Sequence, residues 1–250
     1  MDRRTSGTGK KKSISVRTPN IREERVCMDL ILAVDLKGGV VVHGRSGARE
    51  TYRPLGWGLA PSAEPEAYLE ALGPRRVYFA DLDRIAGYGD HLPLVRRLAP
   101  RFEACYVDAG WRSVAECSTS TGFVPVLGTE TIGDALGDCP RGVLSVDCRD
   151  GVVVPGGEDP VAFLESVRSF SFAAHLVLDI GGVGTRRGLD PPLLALLRSA
   201  SDRPLLWGGG VGTTDDLDLL ERTGFDGAIV ATAVHSGAIP LDAVRRGRWS

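Results

Sequence analysis

Val34-Asp35-Leu36-Lys37-Gly38-Gly39-Val40-Val41-Val42-His43-Gly44 returns later in the chain as Val146-Asp147-Cys148-Arg149-Asp150-Gly151-Val152-Val153-Val154-Pro155-Gly156, with seven of the eleven pairs identical. Each copy leaves an apolar run through an Asp and enters a glycine-bearing turn. Three further correspondences follow in order: Asp81 with Asp179, Asp108-Ala109-Gly110 with Gly208-Gly209-Gly210, and Gly128-Thr129 with Ala231-Thr232. Their offsets are 98, 100 and 103 residues, against 112 for the first. Ordered matches at a nearly constant offset indicate an internal duplication. The competing explanation is that the ends of parallel strands share a preference for Asp and Gly.

Around these motifs, short apolar runs alternate with amphipathic stretches of helical spacing. Strands are expected at 30–35, 77–81, 104–108, 124–127, 142–147, 175–179, 205–207 and 228–230, and helices at 93–98, 161–168, 192–199 and 215–222. Eight strands separated by helices predict an α/β fold, a (β/α)8 TIM barrel made of two (β/α)4 halves, about 28–138 and 139–250.

A chain of 250 residues with 43% hydrophobic and 25% charged residues is long enough for one large core, so one domain is expected. The formal charge of −2 gives no general attraction to nucleic acid or membrane. The charge is uneven, because residues 1–27 hold eight Lys/Arg against three Asp/Glu. That segment reads as a disordered basic tail without a signal-peptide core or membrane span, and Met28, just before the apolar run, as the natural start. A nucleic-acid-binding arm is the alternative for the tail. The five cysteines and four histidines show no metal-ligand spacing, which points to reduced thiols in a cytoplasmic protein with no metal. A monomer is expected.

In such a barrel all strands direct their C-terminal ends to one face, so Asp35 and Asp147, ending strands one and five, should face a common mouth from opposite sides. Two carboxylates so placed can divide the work of acid and base. The alternative is that each Asp caps the loop that follows it. Gly208, Gly209 and Gly210 after strand seven, with Thr232 after strand eight, have the backbone access that a phosphate needs, and the helix opened by Thr213 and Thr214 adds an anion-attracting terminus. Gly110 and Arg112 after strand three, with Gly128 and Thr129 after strand four, predict a second anion site across the barrel. Two facing anion sites imply a sugar phosphate phosphorylated at both ends. Segment 44–65, which contains Arg45, Arg49 and Tyr52, reads as a loop able to close over substrate or as a passive surface loop. Trp57, Trp207 and Trp249 read as packing groups, and Cys148 as a buried thiol.

Ala33-Val34-Asp35-Leu36-Lys37-Gly38-Gly39-Val40-Val41, the repeated Val146-Asp147, Asp179-Ile180 with Gly184-Thr185, and Gly208-Gly209-Gly210-Val211 together resemble the histidine-biosynthesis isomerase/cyclase family over about residues 30–238. The resemblance implies a half-barrel duplication, two phosphate sites that include Asp179, Gly184 and Thr185, and an acid/base pair. In the isomerase branch Asp35 would match the proton acceptor and Asp147 the proton donor of an Amadori rearrangement of a phosphoribosyl aminoimidazole carboxamide, with no cofactor. This sequence departs from the family at Asp108-Ala109-Gly110-Trp111-Arg112, where three glycines are usual. It departs again at Leu178 and Val183, where the family places a hydroxyl and a carboxylate.

Three functions are compatible with these residues: an aldose–ketose isomerase of histidine biosynthesis, a paralogous barrel with lyase, cyclase or condensing chemistry on another phosphorylated metabolite, and a phosphate-ligand-binding barrel without turnover. Asp81, Asp83 or Asp108 could replace the missing carboxylate.

Overall fold

The computed structural model describes residues 27–118 and 120–250. Apart from Cys27, the expected tail lies outside the described residues. The strands are β1 (Asp29–Lys37), β2 (Val40–Val42), β3 (Arg76–Asp81), β4 (Ala104–Asp108), β5 (Val124–Gly128), β6 (Cys139–Arg149), β7 (Val152–Val153), β8 (Phe172–Asp179), β9 (Leu205–Gly208) and β10 (Gly227–Val230). Eight of them pair in parallel in the order β1-β3-β4-β5-β6-β8-β9-β10, and β10 returns to β1 to close the barrel. All eight expected strands are present. Each forms because a run rich in Val, Leu, Ile or aromatic residues is buried on both faces, as parallel strands covered by helices must be.

Alternation within the strands separates two apolar layers. Ile31, Tyr78, Val126, Val143, Leu176, Leu206 and Ile229 fill the barrel interior. Their neighbours Leu30, Leu32, Phe79, Leu127, Leu144, Val177 and Ala228 pack outward beneath the helices. Because the side-chain period is two, this register also fixes the direction of the strand-end residues. Asp35, Asp108 and Asp147 share the inward parity; Asp81 and Asp179 have the outward one.

The four expected helices appear as Leu92–Leu98, Pro160–Ser166, Pro191–Ala200 and Thr214–Thr223. Pro65–Leu72, Leu82–Ala86, Val114–Ser118, Thr129–Ile132, Thr232–His235 and Leu241–Arg246 are additional. Most of the additional ones are too short for helical periodicity to show. Pro65–Leu72 has clear stops in the Glu64 carboxylate, which accepts the Glu66 and Ala67 N–H groups, and in Gly73 at φ 59°.

Two hairpins extend the barrel at its mouth. β2 folds back antiparallel on β1 with Val42 opposite Asp35, and β7 folds back on β6, where Val154 N–H donates to Asp147 O at 2.8 Å. Their turns, Gly38-Gly39 at φ 59° and 82° and Asp150-Gly151 at φ 54° and 83°, have the left-handed pairs of a tight hairpin. Segment 44–65 continues from β2 and is held down: Leu55 N–H donates to Val41 O, Ser46 N–H to Val183 O, and Tyr52 and Leu55 are buried. Among the described residues no helix is long and apolar enough to cross a membrane.

Candidate active site

The strand ends surround a cavity of about 1050 Å³, open solvent at its mouth included. Asp35 and Asp108 line it, together with Arg49, Tyr52 and Tyr78. Asp147 lies just behind the wall and is 2% exposed. A side chain at Gly128 would come within 2.5 Å of Asp147 Oδ2 and 3.8 Å of Asp108 Oδ2, so both carboxylates border the space that this glycine leaves open.

Each carboxylate has its own partners. Asp147 accepts from Ser145 Oγ at 2.6 Å and from Glu130 N–H at 3.1 Å, while its own N–H donates to Thr129 Oγ1 at 3.0 Å. Asp108 accepts from Gly110 N–H at 3.0 Å and from the Tyr78 hydroxyl at 3.3 Å. Burial, reinforced by the nearby Asp108 charge, pushes the Asp147 carboxyl up to about 7. Burial raises Asp35 to about 6, with Arg49 pulling the other way and Asp108 adding to the rise. Burial also lifts Asp108 to about 6 against the opposing Gly110 N–H and Arg49. Carboxyls raised towards neutrality are what acid/base chemistry draws on.

At the other end the cavity is lined by Gly184, Gly209, Gly210 and Thr232, with His43, Arg186 and His235 beside them. Gly209 has φ 92°, and a side chain there would run into Asp179 O, so only glycine fits. Thr232 opens the helix Thr232–His235, whose first N–H groups have no acceptor further back in the helix. Its Oγ1 is 3.2 Å from His43 Nε2. Burial lowers both histidines, His235 to about 4, and His235 Nε2 lies 2.8 Å from the Tyr68 hydroxyl. The helix Thr214–Thr223 does not contribute its terminus: Asp216 Oδ2 accepts the Gly212 and Thr213 N–H groups at 2.8 and 3.0 Å. Gly208 and Thr185 are not among the lining residues, and Thr185 Oγ1 donates to Gly182 O at 2.8 Å. Asp179 shapes this end from outside, accepting Gly182 N–H at 3.0 Å and pairing with Arg187 at 2.5 Å.

The four residues expected to form a second anion site are not assembled as an open cradle. Gly110 N–H goes to Asp108, Arg112 Nη2 donates to Ile85 O at 2.9 Å, Thr129 Oγ1 accepts from Asp147, and Gly128 gives the Asp147 carboxylate room. Over that end Arg49 and Glu130 form a two-point ion pair, Nη1–Oε1 2.9 Å and Nη2–Oε2 2.6 Å. Sequence reading missed this pair, because its members are 81 residues apart and neither lies in a repeated motif.

Leu178 and Val183 do line the cavity, whereas Trp111 does not; it is 2% exposed and stacks on Phe123 behind the strands. Of the carboxylates that could compensate, Asp81 caps Leu82–Ala86 and holds His91, and Asp83 accepts Gly38 N–H at 2.8 Å. Only Asp108 faces the cavity. Cys148 is buried outside the barrel, in the helix layer. Among the described residues no His, Cys, Asp and Glu group has a metal-holding arrangement.

An eight-stranded barrel thus brings inward carboxylates and a glycine-lined, histidine-flanked end to one cavity at its mouth. The chain belongs to the histidine biosynthesis protein family, whose sequence pattern matches residues 29–240. It is 32% identical over 235 residues to the 1-(5-phosphoribosyl)-5-((5-phosphoribosylamino)methylideneamino)imidazole-4-carboxamide isomerase of Thermus thermophilus, covering 86% of this chain and 97% of that one. An uncharacterized protein of Methanocaldococcus jannaschii is 31% identical over 87% of this chain and 97% of its own. Phosphoribosyl isomerase A of Streptomyces griseus is 28% identical, with 86% and 95% covered.

Proposed function

We propose that this protein is an aldose–ketose isomerase that carries out an Amadori rearrangement on a phosphoribosyl aminoaldose. The observation that carries the reading is the pair Asp35 and Asp147, which lie two residues before the ends of β1 and β6 with inward parity and whose carboxyls burial raises to about 6 and about 7. Asp147, whose proton burial and the neighbouring Asp108 charge make harder to remove, serves as the acid: it protonates the ribose ring oxygen through the gap beside Gly128, opening the ring to the iminium. Asp35, on the cavity wall under the influence of Arg49, is the base that removes the proton from C2. The resulting enaminol returns to the aminoketose, so no electrons leave the substrate and the chemistry asks for no cofactor. The sugar phosphate sits at Gly209, Gly210, Thr232 and Gly184, with His43 and Arg186 at its edge. The relatives' imidazole carboxamide, which bears a phosphoribosyl group at each end, is the reference substrate; its second phosphate would lie towards Gly110, Arg112, Gly128 and Thr129. The enzyme acts in the cytoplasm as a monomer, its body formed by residues 28–250 and the basic segment 1–27 dispensable for folding.

Leu178 and Val183 on the cavity wall favour a second reading, a paralogous barrel acting on another phosphorylated metabolite. The isomerase reading is tested by assaying the wild type, Asp35→Asn and Asp147→Asn on the reference substrate and on simpler N-(5-phosphoribosyl)arylamines. Each variant should stay folded and lose about a hundredfold or more in turnover. No aminoketose from any of these compounds with the wild type would exclude the assignment, and a variant with near-full activity would remove that residue from the mechanism.

A further inference from the structure

The two ends of the cavity differ in charge. Towards β4–β6, Asp108 lines the wall and Asp147 stands behind it, while Asp35 stands between the two ends, beside Gly44 and Val183. Arg49 faces this end and Glu130 matches its charge through both guanidinium nitrogens, while the neighbouring Lys37 ammonium is held on the Arg49 carbonyl at 2.7 Å. Arg112 is directed away, to Ile85 O. At the opposite end Arg186 and His43 line the cavity, while Asp179 is neutralised by Arg187. A second phosphate brought to the acidic end would have to break the Arg49–Glu130 pair and approach the remaining carboxylates. Specificity of this kind comes from the repulsive element as much as from the attractive one.

We propose that the substrate carries a single phosphate, seated at Gly209, Gly210 and Thr232, that its far end is uncharged or cationic, and that Glu130, through Arg49, is the residue that turns a second anion away. Leu82, Ile85 and Leu178 on the cavity wall suit an aromatic or otherwise apolar body between the two ends. The inference rests on the isomerase reading in taking an aminoaldose as reactant, and it narrows that reading to aminoaldoses whose amine component bears no phosphate. Glu130 is a specificity-determining residue here; its side chain acts on the far end of the substrate, while its backbone N–H holds Asp147.

Stable analogues of the open-chain form separate the alternatives. Reductive amination of ribose 5-phosphate with aniline, with 4-amino-N,N-dimethylbenzylamine and with 4-aminobenzylphosphonate gives one skeleton with a neutral, a cationic and an anionic far end. Their binding to the full chain is measured by calorimetry at neutral pH, so the result does not depend on turnover. The neutral and cationic compounds should bind, and the phosphonate should bind about tenfold more weakly or worse, a difference of about 1.4 kcal/mol. In Glu130→Gln, which keeps a hydrogen-bonding group beside Arg49 without its charge, phosphonate binding should tighten while neutral binding stays constant. A wild type that prefers the phosphonate overturns the inference and leaves the isomerase reading standing. A phosphonate penalty unchanged in Glu130→Gln overturns the role given to Glu130. Failure of all three compounds to bind removes the inference together with the isomerase reading.

Discussion

The Ser145 hydroxyl donates to Asp147 Oδ1 at 2.6 Å, from two residues earlier on the same inward face of β6. Both residues are sealed from solvent, Ser145 at 0% and Asp147 at 2% exposure. A donated hydrogen bond favours the ionised carboxylate, so Ser145 restrains a carboxyl that burial drives upward. Removing the hydroxyl in Ser145→Ala should raise the Asp147 pKa further. With Asp147 as the acid, the alkaline limb of the pH–rate profile should move to higher pH by about half a unit or more, with KM nearly unchanged. A limb that stays in place or moves down would remove Asp147 from the acid role.

Three buried carboxyls also make folding stability depend on pH. Asp35 and Asp108 are raised from 3.8 to about 6 and Asp147 to about 7, each chiefly by burial. A carboxyl with a raised folded pKa binds its proton more tightly in the folded state. Its stabilising contribution is therefore complete below pH 3.8 and is lost as pH rises through 6 to 7. Asp108→Asn cannot ionise and should escape part of that loss. Its melting temperature should exceed the wild type's at pH 8 by about 2–4 °C, the effect of about 1 kcal/mol in a chain of this size, and the advantage should shrink towards pH 5. A larger advantage at pH 5 than at pH 8 would show that the Asp108 charge is not a burden on the fold.

Inorganic phosphate alone should find the glycine-lined end. Titration followed by amide resonances should move Gly209, Gly210, Thr232 and Gly184 first, with His43 following because its Nε2 lies 3.2 Å from Thr232 Oγ1. Gly209→Ala should abolish these shifts, since φ 92° and the approach of Asp179 O leave no room for a methyl group. Shifts confined to other loops would place the anion elsewhere.

Leu178 and Val183 offer a direct route to substrate identity. The wild type should turn over the imidazole carboxamide reference substrate weakly, and Leu178→Thr combined with Val183→Asp should raise that activity, because both side chains line the cavity. A polar group that meets developing charge commonly contributes about 3–4 kcal/mol to a transition state. Vigorous wild-type turnover that the double change reduces would restore the reference compound as the natural substrate.

The barrel was legible in the sequence because strand identity is written in short local runs such as Leu30-Ile31-Leu32-Ala33-Val34, and their parity alone places Asp35 and Asp147 inward. The short return strands β2 and β7 were not expected from the sequence, where Gly38-Gly39 and Asp150-Gly151 read only as turns, and segment 44–65 reads as a loop until Tyr52 and Leu55 are seen to pack down. Strand-end polarity was harder. Asp81 and Asp179 look like Asp35 and Asp147 in sequence, yet their outward parity makes them loop caps, a distinction that depends on where each strand stops to within one residue. The first anion site was expected from a glycine run, a local signal, and Gly209 and Gly210 do line the cavity, but the helix expected to assist it is capped by its own Asp216. Glu130 and Arg49 carried no local signal, because a charge pair formed across the barrel mouth exists only once the ring has closed.

Trp57 stands edge-on to the rings of His43, 5.0 Å away, and of His235, 5.6 Å away, and remains 38% exposed. Trp111 and Trp207 are buried in the layer beneath the helices, and Trp249 is tied to Asp218. Nature has thus set one indole fluorophore at the rim of the glycine-lined end, against an imidazole that touches Thr232. Since imidazolium quenches indole emission more strongly than neutral imidazole does, an anion that draws a proton onto His43 would dim Trp57, and the occupancy of the site would be visible as light without any label.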